Sequence, residues 1–188
     1  MKDYHGIEVD EPVELLAYDQ TWIEDFRQES ERLKRKLRDE VIAIEHIGST
    51  AIPDLQSKPI IDVMVGVATT SLRTEVIAPL LDEYESLGEA GVAGRLYFRK
   101  RGKTAVNAHV VEHLGTIWND NILLREYLLA NPREARRYGQ FKARVMAEGK
   151  QTLLTYSQAK RPIIEHLLED ARTWRSRAPS EKRNETCG

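Results

Sequence analysis

Val41-Ile42-Ala43-Ile44-Glu45-His46-Ile47 runs into Gly48-Ser49-Thr50, and beyond residues 51–58 a second apolar run opens: Pro59-Ile60-Ile61-Asp62-Val63-Met64-Val65-Gly66-Val67. β-Branched side chains are stiff and suit a pleated surface, and a Gly-Ser-Thr cluster stops the first run, so both stretches predict strands. The second run is almost continuously apolar, the pattern of a strand covered on both faces. The two therefore read as neighbouring buried strands. Asp62 interrupts the pattern: an ionised carboxylate in such a run must be paired, metal-bound or at the strand's end, because an unpaired buried charge costs several kcal/mol. Alternation puts Ile60, Asp62, Met64 and Gly66 on one face and Ile61, Val63, Val65 and Val67 on the other.

Working outward, Asp19 is an N-cap for a helix over about 21–38, with Ile23, Phe26, Leu33 and Leu37 at helical spacing and the basic run RLKRKLR on the solvated side. Ser71 and Gly88 bracket a second helical pattern through Leu72, Val76, Leu80, Leu81 and Leu87, which Pro79 should kink. Leu96–Lys100 and Ala105–Glu112, with a turn near Gly102, predict an antiparallel hairpin. Helices follow over about 119–130, from Asn131-Pro132 onward, and over about 156–174. The order predicts an α+β fold: a small mixed β-sheet covered by helices, with a helical C-terminal third. Residues 12–174 read as one domain. The polar stretches 1–12 and 175–188 read as frayed ends, the latter as a disordered tail.

The chain has 188 residues, 28 Lys plus Arg against 30 Asp plus Glu, and one Cys. Its formal net charge of -2 gives no global field to draw in nucleic acid or an anionic membrane surface. Cys187 alone closes no intrachain disulfide, and no stretch approaches the roughly 20 apolar residues of a membrane span. A cytoplasmic location is the expectation. The phosphate and nucleophile turns of P-loop, Rossmann and α/β-hydrolase folds are absent from the sequence.

Candidate chemistry starts at Gly48-Ser49-Thr50, either an ordinary turn or a place where backbone amides and a hydroxyl hold phosphate. Asp62 is either the partner of Lys58 or a ligand for a hard divalent cation. Of the later strand's candidates, Glu112 and His109 alternate to different faces. His109, which shares a face with Asn107 and Val111, is the one expected to face Asp62. Arg99-Lys100-Arg101-Gly102-Lys103 at the hairpin tip is a solvated turn or a fork that closes over phosphate. Lys160 is a surface lysine or a point charge for a triphosphate, and Arg125 with Glu126 an inter-helix ion pair.

A strand ending in Gly-Ser, then about a dozen residues, then a strand bearing Asp resembles the nucleotidyltransferase superfamily. More closely, the chain resembles the GrpB family. The resemblance rests on Ile44 through Pro53 and on Lys58-Pro59-Ile60-Ile61-Asp62. It extends through Val13-Glu14-Leu15, Tyr18-Asp19, Trp22, Asn107-Ala108-His109-Val110-Val111, Arg125-Glu126-Tyr127-Leu128 and Ala159-Lys160-Arg161-Pro162. It implies a nucleotidyltransferase-like fold and a nucleotide-binding enzyme that uses Mg2+ with an NTP, expected to be ATP, for nucleotidyl transfer to a small-molecule acceptor or for acid activation and ligation. Gly48, Ser49, Thr50, Arg99 and Lys160 would hold the nucleotide, Asp62 the metal, and Asp62, His109 and Lys58 the chemistry. Two departures weigh against this: Met64 stands where many superfamily members carry a second carboxylate, and Asp54 where the family commonly has Gly. The alternative is a degenerate module that binds a nucleotide or another phosphorylated ligand without turnover. A third reading is an accessory module for a partner enzyme, since family relatives occur fused to dephospho-CoA kinase.

Overall fold

The computed structural model describes residues 10–68 and 77–177. Its centre is a mixed sheet of five strands, β1 (Ala43–Ile47), β2 (Ile60–Val67), β3 (Glu85–Ser86), β4 (Arg95–Lys100) and β5 (Ala105–Glu112), in the order β1-β2-β5-β4-β3. β2 runs antiparallel to β1 and parallel to β5, and the expected β4–β5 hairpin is antiparallel. The near-continuous apolar character of β2 is accounted for by its position inside the sheet with both faces covered.

Helix α1 (Thr21–Leu37) starts where Asp19 Oδ1 accepts hydrogen bonds from the Thr21 backbone N–H and hydroxyl, each at 2.8 Å. Its apolar stripe, including Trp22, Leu33 and Leu37, packs on the sheet face that carries Ile61, Val63, Val65, Phe98, Ala108 and Val110. Three helices, α2 (Thr116–Ala130), α3 (Pro132–Ala147) and α4 (Leu153–Arg177), form the C-terminal third. They share a second core through Tyr127, Leu128, Ala135, Tyr138 and Leu167, while Trp118 of α2 meets Ile47, Met64 and Val111 on the opposite sheet face. The α+β architecture expected from the sequence is the one observed. Ahead of α1, Leu16 and Ser57 exchange backbone hydrogen bonds at 2.9 and 3.0 Å, which fastens the N-terminal segment to the loop before β2.

One expected element differs. Of the helix read over 71–88, residues 71–76 lie outside the described residues, Ile77 is helical, and the chain then passes through a 3-10 turn, Ala78–Leu80, to β3. Leu80 and Leu87 are buried as the periodicity required. However, Pro79 has no N–H to continue a helix, and the chain instead adds an edge strand beside β4. Helix α4 also extends past residue 174: the Arg175 guanidinium pairs with Glu126 of α2, so the first part of the expected tail is docked. Residues 178–188 lie outside the described residues.

Candidate functional site

β1 leaves the sheet at Ile47, and Gly48 turns the chain with φ +72°, a left-handed conformation that L side chains rarely adopt. A 3-10 turn, Ser49–Ala51, follows. The register places Ile47, Asp62 and Asn107 side by side on β1, β2 and β5, so Asp62 and Asn107 project from the same face just beneath the Gly48 turn. One row further along, His109 lies beside Met64 on that face.

Asp62 is the electrostatic centre. Its Oδ1 accepts from Asn107 Nδ2 at 2.7 Å and lies 3.6 Å from Lys58 Nζ and 3.5 Å from His109 Nε2. Burial opposes the charged form, but Lys58, His109 and Asn107 together outweigh it and hold the carboxyl well below the usual carboxylate range. Asn107 is held in turn: its Oδ1 accepts from Arg101 Nη2 at 3.1 Å, while Arg101 grips Glu11 at 2.6 and 2.9 Å. Burial pushes the His109 imidazole below its ordinary value against the pull of Asp62, which favours a neutral ring. With Nδ1 3.4 Å from the Arg95 guanidinium, which can only donate, the Nε2 proton is assigned to the Asp62 side.

Helices α3 and α4 each bring a Tyr-x-x-x-Lys pair to this region. Lys142 is fully buried; its Nζ donates to the Gln56 carbonyl, lies 2.9 Å from Ser49 Oγ and sits 4.7 Å above the Tyr138 ring. Burial, aided by Lys160 and Lys58, pushes Lys142 down to about 6. Lys160 Nζ lies 4.3 Å over the Tyr156 ring, and burial pushes it down to about 8 despite Asp62. A cavity of about 190 Å³ opens here, lined by Gly48, Ser49, Lys58, Asp62 and Lys160 and by apolar side chains of Ile52, Leu124, Leu128 and Ile164 beside Tyr138 and Tyr156. Pockets that enclose a drug-sized ligand span roughly 300–1,000 Å³, so this one suits a compact ligand or one end of a larger one.

Six of the residues singled out from sequence, Gly48, Ser49, Lys58, Asp62, Arg125 and Lys160, thus line one cavity. His109 stands behind Asp62. Thr50 is buried, its hydroxyl 2.9 Å from His46 Nε2, and is not a lining residue. Arg99 is also outside the lining and pairs with Glu85 on the edge strand at 2.5 Å; the hairpin arginine that connects to Asp62 is Arg101, through Asn107. Arg125 bonds across the helix–sheet boundary to Glu45 and the His46 carbonyl at 2.7 and 2.6 Å rather than to Glu126. Sequence reading gave no site role to Asn107 and passed over Lys142 and both tyrosines. The repeated i,i+4 spacing of Tyr138 with Lys142 and Tyr156 with Lys160 is the signal that marks them.

The side chains around Asp62 do not fit a resident divalent cation. Its Oδ1 is already shared among an ammonium, an imidazole and an amide, Met64 fills the next position on the same face, and no group of three or more His, Cys, Asp or Glu among the described residues could hold a metal ion. Among the charged lining residues Asp62 offsets Lys58 and Glu45 offsets Arg125, which leaves Lys160 as a surplus positive charge facing the cavity.

The class defined by this geometry is a helix-covered mixed-sheet domain with a lysine-lined cavity at the end of β1. A family model described as GrpB protein matches residues 12–170, and the chain belongs to the GrpB family. It is 36% identical over 165 residues to UPF0157 protein YqkA of Bacillus subtilis, covering 87% of this chain and 48% of that protein, so it spans about half of YqkA. It is 30% identical to glutamate-rich protein GrpB of Alkalihalophilus pseudofirmus, covering 83% of this chain and 94% of that protein. The crystal structure of conserved protein GrpB from Enterococcus faecalis superposes with a TM-score of 0.74 at 30% identity, covering 86% of this chain and 99% of the other. No helix among the described residues is long and apolar enough to cross a membrane.

Proposed function

We propose that the cavity binds the phosphoryl end of a nucleotide or of another phosphorylated small molecule. The observation that carries this reading is Lys160: a half-buried ammonium lining the cavity, set over the Tyr156 ring and in no ion pair with a carboxylate among the described residues. A phosphate oxygen would supply the missing counter-charge. Ser49 and the turn at Gly48 would offer it polar groups, as the nucleotidyltransferase resemblance implies, and Lys58, already neutralised in part by Asp62, would contribute the remainder. The apolar and tyrosine surfaces beside these groups suit a base or another flat organic portion. Asp62 acts in this reading as the internal counter-ion that fixes Lys58 and the Asn107–Arg101 chain.

The test is a thermal-shift screen of inorganic phosphate, ADP, ATP and adenosine, each in EDTA and in excess magnesium. Ligands that bind the folded state alone raise its melting temperature by mass action. Phosphate-bearing ligands are expected to stabilise in EDTA, while adenosine does not. Magnesium-dependent release of pyrophosphate from ATP would instead establish nucleotidyl transfer, and no stabilisation by any of the phosphates would overturn the binding reading.

A further inference from the structure

We propose that Ser49 and Lys142 form a nucleophile–base pair that cleaves a carboxyl ester bearing an anionic group. The inference rests on the anion-cavity reading only for how the substrate is held; the reactive pair has its own geometry. Lys142 Nζ lies 2.9 Å from Ser49 Oγ, within reach for direct proton transfer. The lysine is fully buried and is not among the residues lining the cavity, whereas Ser49 is half-buried and does line it. Lys142 therefore meets a ligand only through the serine hydroxyl, which is the position of a base and not that of a phosphate-binding point charge.

The partners of Nζ fit a neutral amine. The Gln56 carbonyl takes one N–H, the Tyr138 ring lies 4.7 Å away, and the Tyr138 hydroxyl also bonds Ser49; a neutral Nζ, 2.9 Å from Ser49 Oγ, would turn its lone pair to the hydroxyl proton. The charged groups acting on it are Lys58, from the loop ahead of β2, and Lys160, from α4; both are cations and both disfavour a third. Among the described residues no carboxylate forms an ion pair with Lys142. The Gln56 carbonyl also orients the amine, so the requirements for an activated nucleophile are met: nucleophile on base, and base on an orienting group.

In the reaction, Ser49 Oγ attacks the ester carbonyl carbon as its proton passes to Lys142 Nζ. The bond to the leaving oxygen then breaks, and that oxygen takes the proton from Nζ and departs as an alcohol. Water repeats the attack on the acyl-serine, its proton moving through Nζ back to Ser49 Oγ, so one ester and one water give one acid and one alcohol with no change of oxidation state. Lys160 and Lys58 would hold the anionic group of the substrate.

The experiment is labelling of the full chain with a fluorophosphonate, which forms a stable phosphonyl-serine with loss of fluoride, followed by mass spectrometry of the intact protein and its peptides. The expected result is one adduct, on Ser49, absent in Ser49→Ala and formed about 100-fold more slowly in Lys142→Met, the lower end of the range for general-base catalysis. Lys142→Arg should be equally slow, because a guanidinium keeps the donors but accepts no proton. The wild-type rate should rise through about pH 6 and then level off, following the neutral amine. A wild-type protein that is not labelled, or labelling at Ser49 that Lys142→Arg leaves unchanged, would overturn the pair. If the Lys142 variants do not fold, the wild-type pH profile decides, and a rate without an inflection near 6 overturns it as well. Phosphate binding measured in parallel separates the two readings: binding without labelling removes the catalytic pair and leaves the anion cavity standing.

Discussion

Gly48 and Asp62 occupy adjoining space so closely that a Cβ on residue 48 would stand 2.6 Å from Asp62 Oδ2. The turn that carries Ser49 and the carboxylate that holds Lys58 are therefore a single packed unit, and neither can shift without the other. Gly48→Ala adds a left-handed conformational penalty of about 1–2 kcal/mol to that steric conflict. It should lower stability by about 2 kcal/mol or more in urea titration and weaken phosphate binding at least tenfold, with both effects appearing together.

The chain Glu11–Arg101–Asn107–Asp62 links the N-terminal segment to the cavity through side chains. Asn107→Ala removes one hydrogen bond from Asp62 and leaves Arg101 with one acceptor fewer, so it should cost about 1–3 kcal/mol, the penalty for stranding buried polar groups. Glu11→Gln, at the half-buried outer end of the chain, should cost less. Denaturant midpoints of the two variants check the order, and a larger loss for Glu11→Gln would contradict it.

Stability should rise with pH across the neutral range. Lys142 is pushed down to about 6 and Lys160 to about 8, both below an unfolded value near 10.5. Between folded and unfolded values the unfolded chain binds more protons, so the free energy of unfolding increases with pH there. Melting temperature should climb between pH 6 and pH 9, and in Lys142→Met that climb should flatten. A melting temperature that stays level across this window would show that the two amines stay protonated in the folded state.

Phosphate affinity should follow the opposite course. The proposed ligand needs a charged Lys160, whose ordinary value burial has pushed down to about 8. Binding should weaken as pH rises from 7 to 9, whereas a lysine with an unshifted value would leave affinity level over that interval.

Much of this was legible in the chain because the informative contacts are local. Two β-branched runs separated by Gly-Ser-Thr gave β1, β2 and the turn between them, and the one acid in an apolar strand marked Asp62 as requiring partners, of which Lys58 and His109 were foreseen. The helix read over 71–88 went astray where described because burial of Leu80 and Leu87 satisfies a helical period and an irregular turn equally well, and Pro79 decided for the turn. Lys142 was invisible for a different reason. A lysine in Phe141-Lys142-Ala143-Arg144 looks like part of a solvated helix face, and only the loop carrying Ser49 and Gln56, folded over it from another part of the chain, buries it. Arg101 was read as one member of a basic hairpin tip, since its tie to Asn107 depends on how the turn folds back over β5.

The central claim, that this GrpB-family cavity is an anion site without a resident metal, is tested most directly by isothermal titration of ADP into the wild-type protein and into Lys160→Met, each in EDTA and in magnesium. The predicted result is binding to the wild type in EDTA that weakens at least tenfold in Lys160→Met, with magnesium changing the wild-type affinity by little. Binding that disappears in EDTA and is insensitive to Lys160→Met would contradict it.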